Sequence, residues 1–264
     1  MPATPSFTPA HGKNSCVYVN AFDLSDFFRT VEFGRTKDVI DATTFRRRSK
    51  RFVGGFPDAS LSAEGLWDDA DDAIDDVLDA AISADAESNW MWFPGGDAFG
   101  RVGYGALAIE TNYTPSGGVD DVVAAAIEAQ PTTGRERLQS LQAKSTILLA
   151  ASPVTGAELD SGLVGGTALG GAAYLQVFEV AGTGSVDVEV HMSSDSFAAD
   201  DDTLVTFGSV VGASGVVTSA NDAQRIELAL DAQVDQSVRV ELTITTLTSV
   251  VLVVGFHRQI VVAT

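Results

Sequence analysis

Apolar and polar residues alternate along much of this chain. In RTVEFGR, Val31 and Phe33 alternate with Thr30, Glu32 and Gly34, the period-two signature of a strand with one buried face. In DASLSAEGLW, Ala59, Leu61 and Ala63 take one face and Ser60, Ser62 and Glu64 the other. Further on, SVDVEVHM sets Val186, Val188, Val190 and Met192 against Asp187, Glu189 and His191. RIELAL alternates at Ile226, Leu228 and Leu230, and SVRVELTITT sets Val238, Val240, Leu242 and Ile244 against Arg239, Glu241, Thr243 and Thr245. VYV at 17–19, WMWFPG, FGRVGYGALAIETNYTPSGG, SVVLVVG and RQIVVA add shorter strand patterns broken by Gly and Pro turns.

One segment has the helical period. In 68–87, Ile74, Val77, Leu78, Ala81 and Ile82 form a stripe, and Asp71, Asp72, Asp75, Asp76 and Asp79 cover the rest. The pattern predicts an amphipathic helix over about 68–84. VDDVVAAAIEAQPT (119–132) is ambiguous: its alanines favour helix, while alternation at Val123, Ala125, Ile127 and Ala129 favours strand.

These elements predict a mainly β protein, with one flanking helix and an antiparallel β-sandwich in its C-terminal part. Residues 1–15, rich in Pro, Thr and Ser, read as a flexible arm. KDVIDATTFRRRSKRFVGGFP reads as a long loop over about 37–57. The Gly-rich texture around 140–172 suggests a boundary. The expected division is an arm (1–15), a first β domain (16–148) and a C-terminal sandwich (149–264).

Charge sharpens the picture. The 264 residues carry a formal net charge of −20. Residues 1–51 hold nine Lys or Arg against five acidic residues; residues 52–150 hold four against seventeen, and 151–264 three against fourteen. So acidic a chain is repelled by nucleic-acid phosphate. Many Asp with few Lys also fits a salt-loving origin, since at about 1 M salt the Debye length is roughly 3 Å and self-repulsion is screened. No run of eighteen apolar residues occurs, and the N-terminus has no apolar core like that of a signal peptide.

Candidate chemistry is sparse. Cys16 is the one cysteine, and His11, His191 and His257 are widely separated, so no zinc pattern exists. The Asp run at 68–79 reads as a solvated helix face rather than a metal site. In SSDSFAADDDT, Asp195, Asp200, Asp201 and Asp202 could hold Ca²⁺, but the spacing is not that of an EF-hand and a hairpin turn fits better. LVGGTALGGAA lacks the Gly-Lys-Ser/Thr ending of a phosphate loop. His191 near Ser193, Ser194 and Asp195 lacks the elbow of a serine nucleophile. Trp67, Trp90 and Trp92 read as core or interface aromatics rather than a sugar platform. No catalytic, cofactor or metal residue is nominated.

The exception is the run Arg46, Arg47, Arg48, Lys50, Arg51, followed by Phe52 and Phe56. It could be a nucleic-acid patch, a solvated loop, or a self-association loop complementary to the acidic surface of a neighbouring copy. The third reading explains why positive charge gathers here.

The order of the pieces FDLSDFFRTVEFGRTKDVIDATTF, FVGGFPDASLSAEGLW, the helix, WFPGGD, YGALAIETNYTPSGGVDDVVAAAIEAQ and TGRERL resembles the major tail tube proteins of long-tailed, siphovirus-like viruses. GGAAYLQVFEV, VDVEVHMSSDSFAADDDTLVTF, AQRIELAL and VRVELTIT resemble an extension found in a subset of them. The resemblance spans roughly residues 17–262. It implies a β-sandwich or barrel with one flanking helix, and a strand over 121–130. It implies six copies in a ring, and stacked rings forming a conduit for viral DNA ejection, with the DNA passing through without specific binding. The implied partners are further copies and other tail proteins: the tape measure, the tail terminator and the distal tail or baseplate. The implied location is the virion tail after synthesis in the host cytoplasm, with no membrane and no cofactor. The 37–57 loop, with Arg46, Arg47, Arg48, Lys50, Arg51, Phe52 and Phe56, would reach a neighbouring subunit, and the C-terminal sandwich would decorate the tube exterior. The rival reading is a carbohydrate- or surface-binding sandwich.

Overall fold

The computed structural model describes residues 12–45, 49–84, 86–148, 153–161, 170–212 and 218–259, with side chains described from 222 in the last segment. The chain is mainly β with a single α-helix among the described residues. In order, the strands are β1 (Cys16–Val19), β2 (Phe22–Asp23), β3 (Phe28–Asp41), β4 (Phe52–Leu66), β5 (Ser88–Phe93), β6 (Val102–Ser116), β7 (Ala124–Pro131) and β8 (Glu136–Leu148). They continue as β9 (Val154–Thr155), β10 (Leu159–Asp160), β11 (Gly171–Ser193), β12 (Asp202–Thr206), β13 (Val210–Gly212), β14 (Thr218–Glu227) and β15 (Ser237–Arg258). The helix α1 spans Ile74–Ser83.

The chain forms two compact units that interleave along the sequence: residues 1–25, 91–105 and 137–264 in one, and 26–90 and 106–136 in the other. This grouping does not follow the 16–148 and 149–264 division expected from composition. That expectation treated the Gly-rich stretch as a boundary, whereas grouping depends on which strands pair.

In the first unit β12, β11, β15 and β8 neighbour one another in that order, and β1 pairs with β2. β11 and β15 pair antiparallel from Gly171–Arg258 to Ser193–Ser237. The register of this pair shifts midway, between Ala181 and Ser185. Gly182 and Gly184 have φ of +105° and +137°, and Thr246 opposite has +61°. A Cβ on Gly184 would lie 1.8 Å from the Thr245 carbonyl oxygen, so only glycine fits there. One apolar cluster draws on both halves of the pair, including Leu175, Val177, Val188 and Val190 of β11 with Val240, Leu242, Leu252 and Val254 of β15. The alternate residues Ala172, Tyr174, Phe178 and Val253 join Tyr18, Met91, Phe93 and Leu138 in a second cluster. A β strand presents i and i+2 to one face, so one strand pair serves two cores.

Polar pins hold the margins of this unit. Buried Gln176 accepts from the Ala21 N–H at 2.9 Å and donates to the Tyr18 carbonyl at 3.3 Å. It thereby fixes the β1–β2 turn, where Asn20 and Ala21 both have positive φ. Arg258 donates to the carbonyls of Val234 and Asp235.

In the second unit, β3, β4, β7 and β6 pair in that order. Ala59, Leu61 and Ala63 are buried, and Ser60, Ser62 and Glu64 are exposed, as their alternation predicts. The ambiguous 119–132 segment yields strand β7, with Ala125, Ile127 and Ala129 buried. α1 lies against β7 and buries Ile74, Val77, Leu78 and Ala81. It starts later than the predicted 68, because Asp72 has φ +63° and the Ala73 N–H bonds back to the Ala70 carbonyl. RIELAL also differs: β14 ends at Glu227, and Leu230 is exposed.

Leu252→Ala, deep in the first cluster, is expected to lower unfolding free energy by roughly 2–5 kcal/mol. Val39→Ala, on an exposed strand, is expected to change it by less than about 0.5 kcal/mol. Urea denaturation of the two variants checks both.

Candidate assembly interface

The 37–57 stretch, read from sequence as a long loop, is strand on both sides. β3 runs to Asp41 and β4 starts at Phe52, with Lys37 opposite Pro57, Val39 opposite Gly54, Ile40 opposite Val53 and Asp41 opposite Phe52. Beyond these pairs, the Ala42 N–H donates to the Arg51 carbonyl at 2.8 Å, and the Arg51 N–H donates to Thr43 Oγ1 at 2.9 Å. The Thr43 N–H and hydroxyl both donate to the Asp41 carboxylate. The hydroxyl, then the N–H, hold the Asp41 carboxyl below its ordinary range. The result is a two-stranded ribbon.

This ribbon has water on both faces. Paired residues share a face and neighbours alternate. Val39 and Phe52 therefore lie on one face, and Ile40 and Val53 on the other; these four are 66, 56, 64 and 49 % exposed. Phe56 is 94 % exposed, Phe45 lies fully open, and Lys50 and Arg51 are exposed. Of the residues nominated from sequence, Lys50, Arg51, Phe52 and Phe56 thus cluster on the ribbon. Arg46, Arg47 and Arg48 lie outside the described residues. Sequence reasoning missed Val39, Ile40, Phe45 and Val53. The signal was available in DVIDATTF, but an apolar pair exposed on opposite faces leaves no alternation to read.

The other candidates resolve as structure. Trp90 is buried and donates to Glu110 Oε1 at 2.9 Å; Trp67 donates to Asp75 at 2.8 Å, and Trp92 to Ser15 at 2.7 Å. Each indole is tied to its own partner. Asp75 also accepts from the Tyr113 hydroxyl at 2.7 Å. Burial, then this bond, push the Tyr113 phenol up.

The acidic 193–203 stretch is a hairpin turn between β11 and β12. Desolvation pushes the Asp195 carboxyl up. Hydrogen bonds from the Ser193 hydroxyl and the N–H groups of Asp200, Ala199 and Ala198 outweigh it and leave the group below its ordinary value. Asp200 accepts from the Ser194 hydroxyl and N–H, which lower it likewise. These carboxylates are already occupied by the turn's own donors.

Next to this turn, His191, Asp201 and Glu241 bring potential ligand atoms within 4.8 Å of one another. They do not fit a metal. Arg239 reaches Asp201 at 2.5 Å and Glu241 at 3.6 Å, and its guanidinium sits 3.9 Å from the centre of the Phe197 ring. The guanidinium supplies the positive charge that an ion would bring, so Asp201 and Glu241 belong to a polar network with Arg239, and His191 hydrogen-bonds within it to Asp201 and Glu189.

Arg239→Met is expected to cost roughly 1.5–3 kcal/mol, the range for hydrogen bonds to charged groups, as measured by urea denaturation. In carboxyl NMR, Asp195 and Asp200 should titrate below the ordinary 3.8. A depressed folded value means the turn's contribution is fully present above pH about 3.8 and is lost as pH falls through the folded values. Added Ca²⁺ should leave these resonances in place; a saturable shift would contradict the turn assignment.

No protein-family model matches the chain, and no curated protein matches it. Among solved structures, the fold is similar to a chain of the virion of a native gene transfer agent particle, at 15 % identity and TM-score 0.42, covering 49 % of this chain and 98 % of that one. It is similar to the SPP1 Dit protein, described as a hub adsorption apparatus in phages infecting Gram-positive bacteria, at 12 % identity and TM-score 0.37, covering 93 % and 99 %. A chain of the phage p2 baseplate in its activated conformation is similar at 8 % identity and TM-score 0.33, covering 93 % and 98 %. Likeness this distant carries neither fold nor function to this chain.

Proposed function

We propose that this protein is a structural subunit of a virus tail that works by docking onto copies of itself. In this reading copies close into rings, six to a ring, and stacked rings make the tail tube, a conduit for DNA at ejection. The tape measure, tail terminator and distal tail or baseplate proteins are its further partners. It acts in the virion, and its chemistry is assembly rather than turnover.

The observation that carries the reading is the β3–β4 ribbon. An isolated two-stranded hairpin is marginal in water. This one extends apolar side chains from both faces, with Val39, Ile40, Phe45, Phe52, Val53 and Phe56 exposed. Side chains so placed gain burial only against another molecule, at about 25 cal/mol for each Å² removed from water. The sequence resemblance to tail tube proteins points to the same stretch. Charge supports it too. A strongly acidic conduit repels phosphate and lets DNA pass, and high salt screens the repulsion among acidic copies.

Negative-stain imaging of concentrated protein in molar NaCl is expected to show rings or tubes; persistent monomers that bind glycans would favour the surface-binding reading instead. Arg46→Glu, Arg47→Glu and Arg48→Glu together should weaken polymerisation at matched salt and leave the monomer's melting transition in place. Polymers that form unchanged would remove the loop from the interface.

A further inference from the structure

The last residues of β11 stand among more carboxylates than cations. Glu189 and His191 share one face of the strand. Across the ladder to β15, Glu189 lies opposite Glu241 and His191 opposite Arg239. On the other side β12 sets Thr203 opposite His191, and Asp201 comes just before that strand. Like charges directly opposite one another on a sheet repel, and Glu189 and Glu241 are such a pair. The groups facing His191 are thus Glu189 of its own strand, Asp201 beside β12, and Arg239 and Glu241 of β15. Three negative charges meet one fixed positive charge, and a proton on His191 supplies the second.

The ring is placed for that proton. Nδ1 lies 2.7 Å from Asp201 Oδ1, and Nε2 lies 3.3 Å from Glu189 Oε2. A carboxylate only accepts, and a neutral imidazole has one N–H. Both contacts are therefore hydrogen bonds in the imidazolium alone. In the neutral ring, one nitrogen lone pair faces an oxygen lone pair. His191 is 8 % exposed, so water has little room to replace the missing donor.

What this ring holds in place is a strained loop. Ser196 and Phe197, in the turn between β11 and β12, have φ of +58° and +60°, a region that a bulky residue rarely adopts. The Phe197 N–H donates to Ser193 Oγ at 2.8 Å, and the Arg239 guanidinium lies over the Phe197 ring. Arg239 is held in turn by Asp201, the same carboxylate that meets His191. One carboxylate links the proton site to the stack that closes the loop.

We propose that the β11–β12 hairpin is a proton-operated clasp. Protonated His191 ties Asp201 to Glu189, offsets the repulsion between Glu189 and Glu241, and leaves Asp201 placed to hold Arg239 over Phe197. Loss of the proton removes one charge-assisted hydrogen bond and restores the repulsion. Backbone strain at Ser196 and Phe197 then favours the opened loop. Closure is favoured while the ring is protonated and weakens as rising pH removes the proton. Asp195 and Asp200 do not drive the change, because their carboxyls lie below the ordinary range and are already ionised. The device acts within one copy, so it stands whether or not the protein assembles.

Amide exchange of Phe197 reads the opening of the loop. It is measured by NMR in dispersed wild-type protein, alongside titration of the His191 ring nitrogens. Protection of this amide, corrected for the intrinsic exchange rate at each pH, is expected to fall at least about tenfold as the ring loses its proton, the equivalent of one hydrogen bond to a charged group. The fall should follow the His191 curve. His257→Gln should keep the response, since His257 pairs with Ala172 at the opposite end of the β11–β15 ladder. His191→Gln, neutral at every pH, should lose it. Protection that stays constant through deprotonation of His191, a fall that follows another group's curve, or a response that survives in His191→Gln overturns the proposal. If His191→Gln fails to melt cooperatively, the two wild-type curves decide the matter alone.

Discussion

A β-ribbon with solvent on both faces has backbone pairing but no core. That constraint governs the reading of this protein. Over Lys37–Asp41 and Phe52–Pro57 the strands pair, with a register shift between Lys37 and Val39, yet the side chains on them are mostly exposed. Elsewhere in the same two strands the pattern is ordinary: Phe33, Ala59, Leu61 and Ala63 are buried. One hairpin is thus anchored by its base and unsupported at its tip. Apolar residues at such a tip reach burial through contact with something else, and at an edge they are a hazard unless charge directs the contact.

Charge placement supplies that direction. Short-range apolar contact gives adhesion without choosing a partner. Long-range charge chooses the partner and its orientation. The 35–57 stretch of the sequence concentrates Arg and Lys, and the 68–79 stretch concentrates Asp. At low salt a net charge of −20 per copy opposes every association. At high salt only close, complementary contacts survive screening. A segregated charge pattern is then better suited to assembly than an even one.

Strands whose one face meets a core were legible in the sequence, because burial writes alternation into the residues. Residues 59–64, 125–129, 186–190 and 238–242 are of this kind. The helix was legible from its apolar stripe but not at its start: a run of Asp suits both a first helical turn and the turn that precedes it. The ribbon was misread as a loop because a two-sided wet strand has no alternation to show. His191 was placed on a polar strand face, yet it is buried, covered by Asp201 and its cross-strand partner Arg239. That partner lies 48 positions away in the sequence, a pairing no local pattern reveals. The interleaved grouping of the units was hidden for the same reason.

The most direct measurement is amide hydrogen exchange along 35–57 as protein concentration rises at fixed high salt. The account predicts that protection in this ribbon grows with assembly while the β11–β15 core, already closed, stays unchanged. Ribbon amides that exchange equally fast in dilute and concentrated protein, with assembly visible by light scattering, would contradict it.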